Sequence, residues 1–556
     1  MVRALSIIIM LALIVLPVGS GLLLLLLSSF SAESGITSNA AHFILREHAT
    51  LLSTLLAAVL APLVACYLAL WLAPALLKRP TLQQLLSPLL SVPHVAFAVG
   101  LMLLFSPSGW LIRLAESITG LLPFPPQGWP LPEKSVITVI VVLVLKELPF
   151  LLLMIAAQLK QVPASSWLTQ AQSYGYSEKQ AWWRVVTPEL VKRLTLPMAA
   201  VIIYSLSVVD IPLLVGSNTE ALLAQRVYEW TFQFSSESQS KALAGAWILM
   251  AMAALLLFIN RQHARLYRQW MLIKPLRKRR LTKGRLTHAP SSDRLASGVW
   301  LLLGLLSFAI IAVLMLQSLA SSWFYPAIMP ESLSFHRWQT ELAYLTQPSL
   351  NSFWLAIISS ILGVICAVVL LEAQRQHHKK SLNGWLLIAL LVPQVPLVLG
   401  WQLVLGEYLD EGKSGSRVLW SHTVYTVPYA YLVLHGAYTQ FDDKWLIKAQ
   451  SLGYSARQAW WKVMLPMLKA PLTTAFAIAF AVSIAQYLPT QWLGQGLTPT
   501  LTTEAVSVAS GGDWRIGSLY ALLQTLLPLI VFIGVTLLNT GLRRTHSKAK
   551  RYAEHS

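Results

Sequence analysis

Twelve long apolar runs constrain this chain more than any other feature of its sequence. Each is about 20 residues long, the length that an α-helix needs to cross the hydrocarbon core of a bilayer. They lie near residues 4–27, 50–77, 84–106, 135–159, 195–216, 240–260, 295–320, 350–371, 383–406, 418–440, 471–490 and 518–541. Only 12% of the 556 residues are charged, about half the share found in soluble domains. We therefore predict an all-α membrane protein with about 12 transmembrane helices, six in each half of the chain.

The distribution of basic residues predicts the orientation of these helices. Alternate loops, taken with both ends of the chain, hold 32 of the 42 lysines and arginines but only 7 of the 23 acidic residues. Because basic loops remain in the cytoplasm, we assign to that side residues 1–3, 78–83, 160–194, 261–294, 372–380, 441–470 and 542–556. Both termini of the chain are therefore predicted to be cytoplasmic. This pattern also accounts for the net charge of +19 without a nucleic-acid partner.

The most basic of these stretches, 261–294, carries eleven basic residues and one acid, Asp293. We interpret it as a cytoplasmic linker on the membrane face, where anionic lipid attracts each nearby basic side chain by roughly 1 kcal/mol. On this interpretation residues 1–260 form a first domain and residues 295–556 a second.

A polar repeat supports the same division. Residues 171–190 (AQSYGYSEKQAWWRVVTPEL) and 449–468 (AQSLGYSARQAWWKVMLPML) are identical at thirteen of twenty positions without a gap. Each copy lies in the cytoplasmic stretch after the fourth helix of its half. A weaker repeat pairs Val92-Pro93-His94-Val95 and Gly100 with Val392-Pro393-Gln394-Val395 and Gly400. The six-helix unit is therefore duplicated in one orientation, and it offers two equivalent contacts to a two-fold partner.

The local sequence of the polar repeat predicts a helix–turn–helix along the membrane face. Gly175 breaks a helical turn, Ser177 caps the next helix over residues 178–186, and Pro188 ends or kinks it. The second copy repeats this pattern with Gly453, Ser455 and Pro466. Contact with a partner and simple membrane anchoring are both open interpretations for the four tryptophans, Trp182, Trp183, Trp460 and Trp461.

These repeats resemble the signature loop of the permease subunits of binding-protein-dependent ABC importers. That loop reads Glu-Ala-Ala, three residues, Gly, nine residues, Ile, one residue and Leu-Pro. The residues on the matching positions are Ala171, Gly175, Val185 and Pro188 in the first copy and Ala449, Gly453, Val463, Leu465 and Pro466 in the second. The chain departs from the pattern at the Glu, replaced by Thr169 and Ile447, at the first Ala, replaced by Gln170 and Lys448, and at the Leu of the first copy, replaced by Thr187.

The resemblance implies two tandem six-helix permease domains of the type I importer class, coupled through these loops, at 160–194 and 441–470, to two copies of a cytoplasmic ATPase. The resemblance also implies a bacterial inner membrane. A periplasmic substrate-binding protein would deliver the solute, and this chain would have no catalytic residue and no cofactor. The sequence contains no G-x-x-x-x-G-K-[ST] phosphate loop, which agrees with ATP hydrolysis on a separate chain. The chain is similar to the fused iron(III) and thiamine permeases, and related systems carry polyamines or oxyanions. The tryptophans Trp182, Trp183, Trp460 and Trp461 join the matching residues as candidates for ATPase coupling.

Polar groups inside the apolar runs are candidates for a solute pathway, because such groups are costly in a membrane and mark functional sites. The candidates are Lys146, Glu147, Asp210, His94, Gln394 and Gln486. Lys146 and Glu147 either face the pathway or lie near the periplasmic end of their helix and extend toward the interface. His94 and Gln394 occupy matched positions beside repeated prolines, where polar side chains can also be structural.

Two other classes of protein compete with this interpretation. A secondary transporter also has twelve helices in two halves, but it would lack matched docking loops after the fourth helix of each half. A membrane enzyme has no support, since the sequence contains no HExxH motif. Cys66 and Cys366 lie in apolar runs without a CxxC motif or a histidine cluster, so we predict neither a disulfide nor a metal site.

Overall fold

The computed structural model describes residues 2–31, 46–79, 82, 90–233, 235–273, 290–377, 388–408 and 414–554. Helices make up nearly all the regular structure of these residues, and their one isolated bridge between extended segments joins Ala320 and Leu333. Inside a bilayer a helix satisfies every backbone N–H and C=O group within its own segment, which explains why apolar runs of this length become helices.

Among the described residues, fourteen helices belong to the range 2–273, and eleven more, given below, belong to the range 290–554. The fourteen are α1 (Val2–Met10), α2 (Leu16–Ser31), α3 (His48–Leu72), α4 (Pro74–Lys78), α5 (His94–Phe105), α6 (Trp110–Thr119), α7 (Val136–Leu159), α8 (Ala164–Ser173), α9 (Glu178–Ala181), α10 (Thr187–Arg193), α11 (Thr195–Ser207), α12 (Asp210–Val215), α13 (Leu223–Thr231) and α14 (Ser236–Ile273). Wider helical turns at Leu11–Val15 and Trp182–Val186 join α1 to α2 and α9 to α10.

Eleven helices belong to residues 290–554. They are α15 (Pro290–Leu319), α16 (His336–His377), α17 (Gln394–Tyr408), α18 (Ser414–Gln440), α19 (Lys444–Ser451), α20 (Ala456–Ala459), α21 (Leu465–Met467), α22 (Lys469–Ile484), α23 (Leu488–Gly494), α24 (Leu501–Ser510) and α25 (Trp514–Glu554). A wider turn at Trp460–Met464 joins α20 to α21. The middle of the predicted linker, 274–289, lies outside the described residues, whereas α14 continues through residue 273.

The described residues are helical at all twelve predicted positions, which agrees with the predicted fold class. Eight helices are long and apolar enough to cross a membrane, and two bent pairs raise the number to ten. The bent pairs join Glu178–Arg193 to Thr195–Ser207 at 62° and Ala456–Met467 to Lys469–Ile484 at 68°. The other two positions belong to α17, with 15 described residues, and to the more polar α18.

The two halves have the same internal packing. α3, α7 and α11 pack together in the first half, and α16, α18 and α22 pack together in the second. Two predicted helices are not continuous: the run at 195–216 is interrupted at Val208–Val209, and the run at 471–490 is interrupted at 485–487. The break therefore falls in the fifth helix of each half.

The first helix of each half packs against the opposite half. α2 contacts α17, and α15 contacts α5. The two glycines of the weaker sequence repeat lie at these contacts: a Cβ atom on Gly400 would be 1.9 Å from the carbonyl oxygen of Gly21, and one on Gly100 would be 2.5 Å from the Ile310 side chain. The repeated glycines therefore lie where α2 and α15, which we call the exchanged helices, pack closely against the opposite half.

Candidate functional site

A polar cluster lies where the broken helices meet the middle of the bundle. In its first-half part, Lys146 and Glu147 lie near the midpoint of α7 and are only 5% and 7% exposed. Lys146 Nζ donates to the main-chain carbonyl of Val92, and His94 Nε2 lies 3.4 Å from Glu147 Oε1. The proposed alternative that this pair extends toward the periplasmic interface does not fit a mid-helix, buried position.

Asp210 joins the same cluster from the broken helix. It begins α12, directly after the break, and is 7% exposed. Its carboxylate is close enough to His94 for an electrostatic interaction. The His94 ring lies against the Tyr204 ring, with centroids 4.7 Å apart. The structure therefore brings together all four first-half candidates, and it adds Tyr204 to them.

The second half places amides and tyrosines at the corresponding positions. Gln394, which matches His94, donates from Nε2 to Oε1 of Gln486 across 2.9 Å. Gln486 lies in the break between α22 and α23, and Tyr487 beside it has its hydroxyl 3.0 Å from that of Tyr228 in the first half. All six predicted pathway residues therefore lie around the two breaks.

Contacts between the halves show that the two parts form one cluster. Tyr429 of α18 lies near Glu147 of α7 and near Tyr204 of α11. Tyr487 lies near Asp210. The sequence did not single out Tyr228, which lies between two apolar runs, or Tyr429, which lies within one, because only the fold brings both to the centre. Among the described residues, no three His, Cys, Asp or Glu side chains are grouped so as to hold a metal ion.

The two polar repeats form helix–turn–helix elements of the same geometry. For the role that the resemblance implies, we call residues 164–193 the first coupling element and residues 444–467 the second. In each, a glycine with positive φ ends the first helix: Gly175 at 87° and Gly453 at 90°. Ser177 and Ser455 then begin the second helix with reciprocal bonds to a glutamine three residues later, which satisfy the free amides of the helix terminus. The predicted break and cap are thus present in both copies.

The sequence predicted that Pro188 ends or kinks the second helix, and in the first copy the helix does not end there. The helix continues past Pro188 to Arg193, through the wider turn at Trp182–Val186, in which the Thr187 amide donates to the Trp182 carbonyl. Proline has no amide and its ring crowds the carbonyl one turn earlier; widening the preceding turn relieves that conflict. The second copy has the same wide turn before Pro466.

The four tryptophans do not have one common role. Trp182 is buried and donates its indole N–H to the Leu70 carbonyl across 3.0 Å, so it anchors the first element to α3. Trp460 is half-buried and donates to the Glu372 carboxylate of α16 across 3.2 Å. Trp183 is partly buried, whereas Trp461 is 55% exposed. The remaining candidate residues divide similarly: Ala171, Pro188 and Ala449 are buried, Val463 and Leu465 partly so, and Val185 and Pro466 exposed.

The comparisons with known proteins agree with this architecture. The chain is a duplicated helical membrane protein with a central polar cluster and two matched coupling elements. This is the architecture of a solute permease. Residues 65–269 match the family described as "Binding-protein-dependent transport system inner membrane component". The chain is 32% identical over 449 residues to the inner membrane ABC transporter permease protein YnjC of Escherichia coli K12, covering 80% of this chain and 78% of that protein.

Two more distant relatives have assigned solutes. One is the spermidine/putrescine permease PotC homolog of Mycoplasma genitalium, 26% identical over 38% of this chain and 74% of that protein. The other is the molybdenum permease ModB of Mycobacterium tuberculosis, 26% identical over 36% of this chain and 83% of that protein. The chain belongs to the family of inner-membrane ABC transporter permeases. It is therefore a non-catalytic, multi-pass transport subunit, and the secondary-transporter and enzyme alternatives are set aside.

Proposed function

We propose that this chain is the complete transmembrane part of an ABC importer, with its two halves enclosing a single solute pathway. Two copies of an ATPase bind below it through the two coupling elements, and a periplasmic binding protein delivers solute from above. Both termini then lie in the cytoplasm. The observation that carries the proposal is the matched geometry of the coupling elements, which a two-fold ATPase pair requires.

The exposed tips of the coupling elements are the surface that we assign to the ATPases. Tyr174 and Leu452 occupy the same repeat position, directly before the positive-φ glycine, and they are 78% and 81% exposed. Large exposed apolar side chains at matched positions are typical of protein interaction sites. Trp461 adds to this surface, whereas Trp182 anchors its element to the membrane helices.

The composition of the central cluster favours a cationic solute. Glu147 and Asp210 supply two carboxylates against the one ammonium of Lys146, which donates to a backbone carbonyl. Tyr204, Tyr228 and Tyr487 supply aromatic faces, which attract organic cations. An oxyanion would instead need several cationic or N–H donors at the centre. Among the named solutes we therefore favour a polyamine or a thiamine-like cation over an oxyanion.

Purification of the tagged chain from native membranes tests the assembly. We expect an ATPase to be recovered at two copies per chain, as measured by native mass spectrometry. Leu452→Arg in the second tip should reduce the recovered ATPase toward one copy. Leu121→Arg is the matched control, because Leu121 is 78% exposed on the loop between α6 and α7, on the side predicted to be periplasmic. Recovery of the chain without any ATPase, or equal recovery from both variants, would contradict the proposal.

A further inference from the structure

His422 of α18 bridges the two parts of the broken helix in the second half. Its side chain is 2% exposed, and both ring nitrogens are hydrogen-bonded. Nδ1 lies 2.8 Å from the Ser483 hydroxyl, near the end of α22, and Nε2 lies 2.8 Å from the Thr490 hydroxyl in α23. Between these two contacts the chain passes through the break that contains Gln486.

The surrounding hydroxyls fix which nitrogen carries the proton. Ser359 donates to Ser483 across 2.9 Å, so Ser483 has its own proton free to donate to Nδ1. Thr490 donates to the main-chain carbonyl of Gln486 across 2.8 Å, so its oxygen accepts from the Nε2–H of His422. The result is one directional chain of hydrogen bonds that crosses the break and ends at Gln486.

We propose that His422 is a positioning residue that holds the break so that Gln486 meets Gln394 in the centre of the bundle. This inference rests on the proposed function, since it treats Gln486 as part of the solute pathway. A buried polar chain of this kind specifies one arrangement because each group that loses its partner is left unsatisfied.

The first half provides a natural comparison. Counting from Pro149 and Pro428, the residue that matches His422 is Leu143, which is buried. Counting from Pro188 and Pro466, Ser205 matches Ser483, and among the described residues its hydroxyl has no hydrogen-bond partner. The hydrogen-bond chain through His422 is therefore specific to the second half, where the pathway residue in the break is the amide Gln486.

A cross-linking experiment on the full-length chain tests the proposal without knowledge of the solute. In a background with Cys66→Ala and Cys366→Ala, Gln394→Cys and Gln486→Cys are joined by a short bifunctional thiosulfonate. His422→Leu, which copies the first-half residue, should lower the cross-link yield at least about fivefold, because both hydrogen bonds are lost. His422→Gln keeps one acceptor and one donor and should restore the yield to within about twofold. Ser205→Ala, the control, should leave it unchanged.

An unchanged yield in His422→Leu would overturn the proposal. If that variant cannot be purified, Ser483→Ala and Thr490→Val each remove one of the two bonds, and each should lower the yield about two- to threefold; an unchanged yield in both would overturn it equally. The cross-link is measured without ATPase or solute. If the chain binds no ATPase but the cross-link yield still falls in His422→Leu, the proposed function is contradicted and the positioning role of His422 is not.

Discussion

Trp460 donates its indole N–H to the Glu372 carboxylate across 3.2 Å, and this bond ties the second coupling element to α16. The matching bond of the first coupling element, from Trp182, ends instead on the main-chain carbonyl of Leu70 in α3. Glu372 also accepts from Arg375, which reaches Asp443 beside α19 across 2.7 Å. The matching helices α3 and α16 therefore bind the two coupling elements through different acceptors. The indole of the first element donates to a main-chain carbonyl, and that of the second donates to a buried carboxylate.

Removal of that carboxylate should loosen one coupling element and not the other. Glu372→Ala leaves the Trp460 indole without its acceptor and leaves Arg375 with Asp443 as its remaining carboxylate partner, a loss of about 1–3 kcal/mol. Hydrogen–deuterium exchange should therefore become about tenfold faster in residues 456–467 and stay unchanged in residues 164–193. Glu189→Ala is the control, because it removes a partly exposed i,i+4 pair with Arg193, worth about 0.5 kcal/mol or less. Equal acceleration in both elements would show that Glu372 acts on the whole fold.

The close approach of α2 to α17 predicts that Gly400 tolerates no side chain. In Gly400→Ala the new methyl group would lie 1.9 Å from the Gly21 carbonyl oxygen. Backbone meets backbone at this point, so the helices must separate, and we expect a loss of at least about 2 kcal/mol. Thermal unfolding in detergent measures it. Gly436→Ala in α18 has no atom within 4 Å of its Cβ and should be stabilising by up to about 1 kcal/mol. Similar melting temperatures for the two variants would refute this account of the exchanged helices.

Local features of the coupling elements could be predicted from sequence because neighbouring residues determine them. Ser177 and Ser455 bond within three residues of themselves, and Gly175 and Gly453 take a backbone conformation that glycine adopts readily. The twelve helical positions and the repeat could also be predicted from the sequence, since both depend on patterns along the chain.

Features that depend on packing between helices were not predictable. Pro188 was expected to end or kink a helix, but a widened turn lets the helix continue past it. The interruptions at Val208–Val209 and 485–487 contain no proline or glycine themselves. Pro212 and Pro489 lie in the first turn of the helix after each break, a helix-start signal that the prediction did not use. His422 lies inside the apolar run at 418–440 and is a polar group of the kind that marks a functional site. Its bridging contacts could not be predicted, because its two partners are 61 and 68 residues away along the chain.

The unequal burial of the tryptophans predicts two separable effects. Trp182→Ala removes a buried side chain and its bond to Leu70, so it should destabilise the chain by about 3–5 kcal/mol. Trp461→Ala changes a side chain that is 55% exposed and should alter the melting temperature little. It should instead weaken ATPase binding, measured by titrating the purified ATPase onto the chain in nanodiscs. If Trp461→Ala instead lowers the stability and leaves the ATPase affinity unchanged, Trp461 anchors its element to the membrane helices as Trp182 does, and the prediction is wrong.

The charge of the central cluster gives the most direct test of the solute class. Glu147→Gln keeps the shape of the side chain and an acceptor for His94, but it removes one of two carboxylates beside the breaks. For a cationic solute we expect uptake to fall about tenfold, equivalent to about 1.4 kcal/mol. The measurement is uptake of labelled spermidine, thiamine and molybdate by cells that produce the whole transporter. Glu237→Gln removes an exposed carboxylate paired with Lys241 and should leave uptake of all three unchanged. If molybdate is the solute taken up, and Glu147→Gln leaves its uptake unchanged or raises it, the cationic pathway is wrong while the permease assignment stands.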